Sequence, residues 1–156
     1  MLERSSATTL MTKAALRTTF VVFAFGVQVL LILDFAARNW RPALERKYGW
    51  VIYALGIVAV LLAIVFALGR QPAYAVVAPL VYALWAAFGY VVDIYRHIEW
   101  RNPPRWSVLA PYVLLFMASQ FAFWIPLWYL GLGYWAAYTV LYAVNTALNF
   151  ASHRQR

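Results

Sequence analysis

The stretch WVIYALGIVAVLLAIVFAL, residues 50–68, holds no charged side chain and no amide. At about 1.5 Å per residue, a helix of this length reaches across the ~30 Å hydrocarbon layer of a bilayer. Four more long apolar runs surround it, at Thr18–Ala37, Ala73–Tyr95, Ser107–Tyr129 and Tyr134–Ala151. We read the chain as all-α, a polytopic integral membrane protein built as a bundle of five transmembrane helices. Four spans plus an interfacial helix is the alternative architecture. A polar, basic leader covers residues 1–17, the single bundle covers 18–151, and a basic tail covers 152–156. The first run contains Gln28 and Asp34 and exceeds the apolar core of a secretory signal, so we expect a retained helix.

Composition agrees. Of the 156 residues, 65% are hydrophobic and only 12% are charged. Soluble domains carry roughly 25% charged residues, and this deficit leaves too little polar surface for a soluble globule. The chain has no cysteine, which excludes disulfides, thiolate nucleophiles and iron–sulfur ligation. The net charge of +8 matches basic loops that set topology and touch anionic lipid, so we expect membrane lipid and not nucleic acid as a partner. Nine of the 13 Lys and Arg fall on one side: Arg38, Arg41, Arg46, Lys47, Arg96, Arg101, Arg105, Arg154 and Arg156. Arg4, Lys13, Arg17 and Arg70 fall on the other. The positive-inside rule then predicts an external N-terminus and a cytoplasmic C-terminus, in a membrane such as the bacterial inner membrane. Trp40, Trp50, Trp100 and Trp106 flank the predicted inner ends, and Trp128 and Trp135 the outer hairpin, where indoles favour the headgroup layer.

Small residues suggest how the helices meet. Ala59, Ala63 and Ala67 repeat every fourth residue, as do Ala143, Ala147 and Ala151, a spacing that lets two backbones approach closely. The run at 50–68 has no polar side chain beyond Tyr53 and reads as peripheral.

Polar side chains inside hydrocarbon each require a partner. Tyr134, Tyr138, Tyr142, Asn145 and Asn149 share one helical face, as do Tyr82, Ala86, Gly89, Asp93 and His97. Gln28 and Gln120 sit near mid-span, and Pro79, Pro111 and Pro126 interrupt two helices. Trp85 is an indole far from either interface. Two chemistries are open for these faces: hydrogen bonding between helices, or the wall of a ligand site. Asp34 precedes Arg38 by four residues, which favours an ion pair. Asp93, His97 and Glu99 resemble a metal set only superficially, and an ion-paired helix end, with Arg96 three residues from Asp93, accounts for them better. No lysine or histidine lies within a span, which excludes a retinal Schiff base and buried bis-histidine haem ligation. Ser119 has no histidine at its depth, and no phosphate-binding glycine loop is present.

The segment Trp100-Arg101-Asn102-Pro103-Pro104-Arg105-Trp106 resembles the Trp-x-Pro-Pro signature of the translocator-protein family, the tryptophan-rich sensory proteins. Those are small five-helix membrane proteins that bind tetrapyrroles and sterol-like ligands. In that family the motif follows the first helix, whereas three predicted spans precede it here. The resemblance covers seven residues, and no family residue or activity is carried over.

We therefore expect a small membrane protein that binds or translocates an apolar or amphipathic molecule within its bundle, alone or as a homo-oligomer. The expected ligand-binding residues are Gln28, Tyr82, Trp85, Asp93, Gln120, Tyr138, Tyr142 and Asn145, with no catalytic set, metal or cofactor. Two rival functions come from different classes. One is a structural subunit beside a partner membrane chain. The second is a lipid-modifying enzyme that uses Asp34, Asp93, His97 and Glu99.

Overall fold

The computed structural model describes residues 2–99, 103 and 105–154, with side chains described for 13–99, 103 and 105–151. Every regular element among them is a helix. Helix α1 covers Leu2–Trp40, α2 Pro42–Tyr48, α3 Trp50–Leu68, α4 Ala73–Gly89, α5 Trp106–Leu130 and α6 Leu132–Arg154. A π-helical segment, Tyr90–Tyr95, extends α4. Among the described residues, four stretches are long and apolar enough to cross a membrane: Lys13–Trp40, Pro42–Leu68, Ala73–Tyr95 and Trp106–Leu130.

The polar leader is helical from Leu2 onward and continues into the first apolar run without a break. The loop after that run is not a simple turn. Pro42 occupies the first turn of α2, where a missing N–H costs nothing, and the Gly49 amide bonds back to the Glu45 carbonyl. The prolines at 79, 111 and 126 all lie inside continuing helices.

Contacts along α1 give the directions of α4, α5 and α6, and contacts along α4 that of α3. Phe25 meets Tyr138, Gln28 meets Asn145, and Asn39 donates to the Leu148 carbonyl, so α6 runs parallel to α1. Arg17 meets Leu130 and Gln28 meets Gln120, so α5 runs opposite. Phe20 touches Tyr74 and Phe23 touches Tyr82, so α4 runs with α1. Tyr53 meets Asp93, and Gly56 lies against Ala86, so α3 opposes α4. The five long helices alternate in direction around one core. One end carries α2, the start of α3 and the π-segment; we call it the α2 end. The opposite end carries the Gly131 link and is called the hairpin end.

The core follows helical period. From α1 it takes Phe20, Ala24, Val27, Gln28 and Leu31, and from α3 Ile52, Gly56, Ala59, Ala63 and Phe66. The small residues among these let α3 approach α4 closely: a Cβ on Gly56 would stand 2.9 Å from that of Ala86. The opposite side of α3 is exposed apolar surface, with Ile57, Leu61, Ile64 and Leu68 all facing outward. Three alanines differ from expectation. Ala67 is exposed, and so are Ala143 and Ala147 of α6, so that ridge is not a packing face inside the bundle. Helix α6 instead turns Tyr138 and Asn145 inward, because leaving their polar groups in an apolar surround costs more than exposing alanine.

Tryptophans sit where an interfacial belt predicts. Trp40, Trp50 and Trp106 are exposed at the α2 end and Trp128 at the hairpin end. Trp124, Trp128 and Trp135 cluster there, with ring centroids 5.2 and 5.0 Å from Trp135, and the Trp124 indole donates to Thr139 at 2.8 Å. Trp100 lies outside the described residues.

Candidate functional site

Four of the expected ligand-binding residues form one network at mid-bundle. Gln28 of α1 donates to the Gln120 Oε1 of α5 and accepts from Asn145 Nδ2 of α6 at 2.9 Å. The Tyr138 hydroxyl donates to the same Gln120 oxygen at 3.2 Å. Gln120 Nε2 donates to Ser119, whose hydroxyl bonds the Phe116 carbonyl at 2.7 Å. All five residues are at most 1% exposed. Each of the three amides bonds to a neighbour in the set, which ties α1, α5 and α6 together. Within this network only Asn145 Oδ1 is buried without a partner. Amides and a phenol offer shape and hydrogen bonds here, but no nucleophile with a base beside it.

The remaining four lie elsewhere. Tyr82 is fully buried and donates to the Ile52 carbonyl of α3 at 2.7 Å. Trp85, one turn on, is packed by Tyr82, Tyr53, Tyr112 and Phe116 at ring separations of 5.5–5.9 Å, and its indole N–H has no acceptor. Asp93 accepts from the Tyr53 hydroxyl at 2.5 Å, and Tyr53 also lies 3.4 Å from Tyr112. Tyr142 is half-buried, with its ring 6.4 Å from Phe121. Tyr134 is exposed, and Asn149 is half-buried.

Charges at the α2 end follow their own logic. Arg38 bridges Asp34 at 3.2 Å and Glu45 at 3.3 Å, which fastens α2 to α1. Its guanidinium also lies 5.3 Å from the Phe35 ring centroid. These side chains are 9–21% exposed, so the pair is sheltered and worth more than a surface ion pair. Arg38→Met is expected to cost about 2 kcal/mol, because two carboxylates each lose an ion pair in a largely dry site. Faster tryptic cleavage at Arg46 and Lys47 would report the release of α2. His97 and Glu99 are not buried, and among the described residues no three His, Cys, Asp or Glu are placed to hold a metal ion. Asp34 is held by arginine and Asp93 by tyrosine.

A pocket of about 460 Å³ lies at the hairpin end, away from all of these. Leu16, Phe20, Tyr74, Ala75 and Leu130 supply apolar walls, and Lys13, Arg17 and Arg70 supply cations. Phe20 is 2% exposed and packs against Phe66, Tyr74 and Phe123, so it forms the floor. Gln28 lies two turns deeper on α1, about 12 Å below that floor. Arg17 donates to the Leu130 carbonyl in the last turn of α5, where the helix dipole favours a cation. Arg70 holds a left-handed backbone, φ +49°, in the tight turn between α3 and α4. None of the eight expected site residues lines this pocket. Lys13, Leu16, Arg17 and Phe20 do recur at helical spacing on one face, which is the signal the sequence carries. Arg70 joins them only through the antiparallel return of α3.

No protein-family model, curated protein or solved structure matches the chain. The Trp-x-Pro-Pro resemblance at 100–106 falls largely on residues outside the described set, and no family assignment rests on it.

Proposed function

We propose that the chain is a membrane protein that binds an amphipathic small molecule, and that the site is the hairpin-end pocket. The observation that carries this reading is the pairing of an apolar floor at Phe20 with three cations at the rim of one 460 Å³ space. Pockets of about 300–1,000 Å³ accommodate small ligands. Gln28, Gln120, Tyr138 and Asn145 serve here as a lock that holds the bundle beneath the pocket, since their polar groups are engaged with one another. Leu16→Trp fills the pocket from a half-exposed position. The expected result is loss of co-purifying small molecules with little change in thermal stability. Equal retention in both proteins would overturn the assignment of the site.

The same reading takes α6 as a fifth span. Its 23 residues are long enough, and it runs parallel to α1 from Phe25/Tyr138 to Asn39/Leu148. Tyr138 and Asn145 then face protein and not lipid. An external N-terminus and a cytoplasmic C-terminus in a bacterial inner membrane follow from the charge bias. The absence of cysteine makes this directly measurable. Gly133→Cys is expected to react with an impermeant maleimide added to intact cells, and Lys47→Cys only after lysis. The reverse pattern would invert the topology.

A second reading, a subunit beside a partner membrane chain or a second copy, is favoured by exposed Ala143 and Ala147 on the outer face of α6. It predicts that Ala143→Leu weakens assembly without lowering ligand retention.

A further inference from the structure

Three cations line the hairpin-end pocket, and no carboxylate is among the residues that line it with them. The sequence has five Asp and Glu. Four of them, Asp34, Glu45, Asp93 and Glu99, lie at the α2 end, across the full length of the bundle from Lys13, Arg17 and Arg70. The fifth, Glu3, has a side chain outside the described set. Like charges gathered at the edge of a low-dielectric slab repel one another, and that repulsion is relieved by an anion bound between them.

Resting on the reading that this pocket binds an amphiphile, we propose that the bound head is a phosphate ester, held by Lys13, Arg17 and Arg70, with its apolar part against Leu16, Phe20 and Tyr74. The geometry divides the labour. Lys13 and Arg17 stand one turn apart on α1, so their side chains lie on the same face. Arg70 approaches from the α3–α4 turn. Left-handed backbone at a non-glycine residue is uncommon, and here it occurs at the residue that brings the third cation to the rim. Arg17 already holds the Leu130 carbonyl, which fixes one guanidinium while its remaining N–H groups are available to a ligand. Arginine forks suit phosphate oxygens in two-point contacts, and lysine adds a point charge. Below the cations the wall changes to aromatic and aliphatic carbon within about one turn, which is the polarity step of a phospholipid between its phosphate and its first methylenes. A free phosphate would use only the rim, whereas a phospholipid uses both rim and floor.

The test uses the full chain, delipidated in a neutral detergent, with thermal stability followed as each probe is titrated. The probes are phosphatidylglycerol, phosphatidylcholine, diacylglycerol and inorganic phosphate. Phosphatidylglycerol is expected to raise Tm saturably, with phosphatidylcholine weaker and diacylglycerol without effect. Arg70→Gln and Lys13→Gln, both at exposed positions, are each expected to raise the apparent Kd for phosphatidylglycerol by about tenfold. Phosphate as effective as phosphatidylglycerol, with the same loss in Arg70→Gln, would retain the anion site and assign it to a free phosphate. Equal stabilisation by phosphatidylglycerol and diacylglycerol, unchanged in Arg70→Gln but abolished in Leu16→Trp, would overturn the phosphate proposal and leave the amphiphile pocket standing. No response to any amphiphile, or one that survives Leu16→Trp, would remove both.

Discussion

Gln28→Leu is expected to destabilise the bundle by about 3 kcal/mol, the largest effect of any single polar substitution. Leucine removes the bond to Gln120 and the bond from Asn145 together, and leaves both partners buried at 0–1% exposure. A hydrogen bond between membrane helices is worth roughly 0.6–2 kcal/mol, and a buried group left without a partner costs about 1–3 kcal/mol. Asn145 Nδ2 is then left without its acceptor, Gln120 Oε1 keeps the Tyr138 hydroxyl, and the bond between the two glutamines is lost whichever of them is replaced. The double variant Gln28→Leu with Gln120→Leu should therefore be less destabilised than the sum of the single ones. Tyr138 keeps its hydroxyl but loses its acceptor, so the double variant does not return to wild-type stability. Unfolding in a denaturing detergent series, run on all three variants as a cycle, measures the coupling. A purely additive cycle would mean that the two glutamines do not act through each other.

The second large effect is steric. Gly56→Leu is expected to separate α3 from α4 and leave little folded protein. Even a single Cβ at residue 56 would sit 2.9 Å from the Ala86 Cβ and 3.7 Å from the Ala83 backbone. Neither neighbour is the tip of a flexible side chain, so the helices themselves must move. Overpacking by a few methylenes costs about 1–3 kcal/mol where a core can adjust, and more where backbones meet. Tyr82 depends on the same approach, because its hydroxyl reaches the Ile52 carbonyl only while α3 stays close. Gly133→Leu is the control: no atom stands within 4 Å of an added Cβ there, and its effect should be near zero. Monodisperse recovery on size exclusion distinguishes the two. Normal recovery of Gly56→Leu would show that the α3–α4 contact is not needed for folding.

Much of this architecture is legible in the sequence because a bilayer imposes a simple rule. Every crossing needs about 20 apolar residues with all backbone polar groups satisfied internally, and a run such as 50–68 fits that demand and little else. The inward face of α6 is legible for the same reason: Tyr138 and Asn145 lie seven residues apart, on one side of a helix, and each needs a partner. Period alone does not say which of two faces wins. Ala143 and Ala147 have a packing spacing too, yet they lie outside, since polar burial outweighs the gain from close alanine contact. The short helix α2, Pro42–Tyr48, is harder to read, since its seven residues bury no side chain of their own. Its packing on α1 depends on the fork from Arg38 to Asp34 and Glu45, a contact across seven residues that the i+4 pair only half announces. The pocket is the least legible feature. Lys13 and Arg17 count as flanking cations when the two sides of the membrane are compared, and only the return of α3 puts Arg70 beside them. Which side a charge lies on and which space it faces are different quantities, and only the second depends on the fold.

The most direct test of the central claim is native mass spectrometry of the protein extracted gently from its own membrane, beside Leu16→Trp treated identically. The expected result is a reproducible small-molecule adduct on the wild-type chain, with the mass of an anionic amphiphile, and a bare Leu16→Trp chain. A wild-type chain that flies bare, or that appears only in a complex with another polypeptide, would contradict amphiphile binding and support a structural subunit.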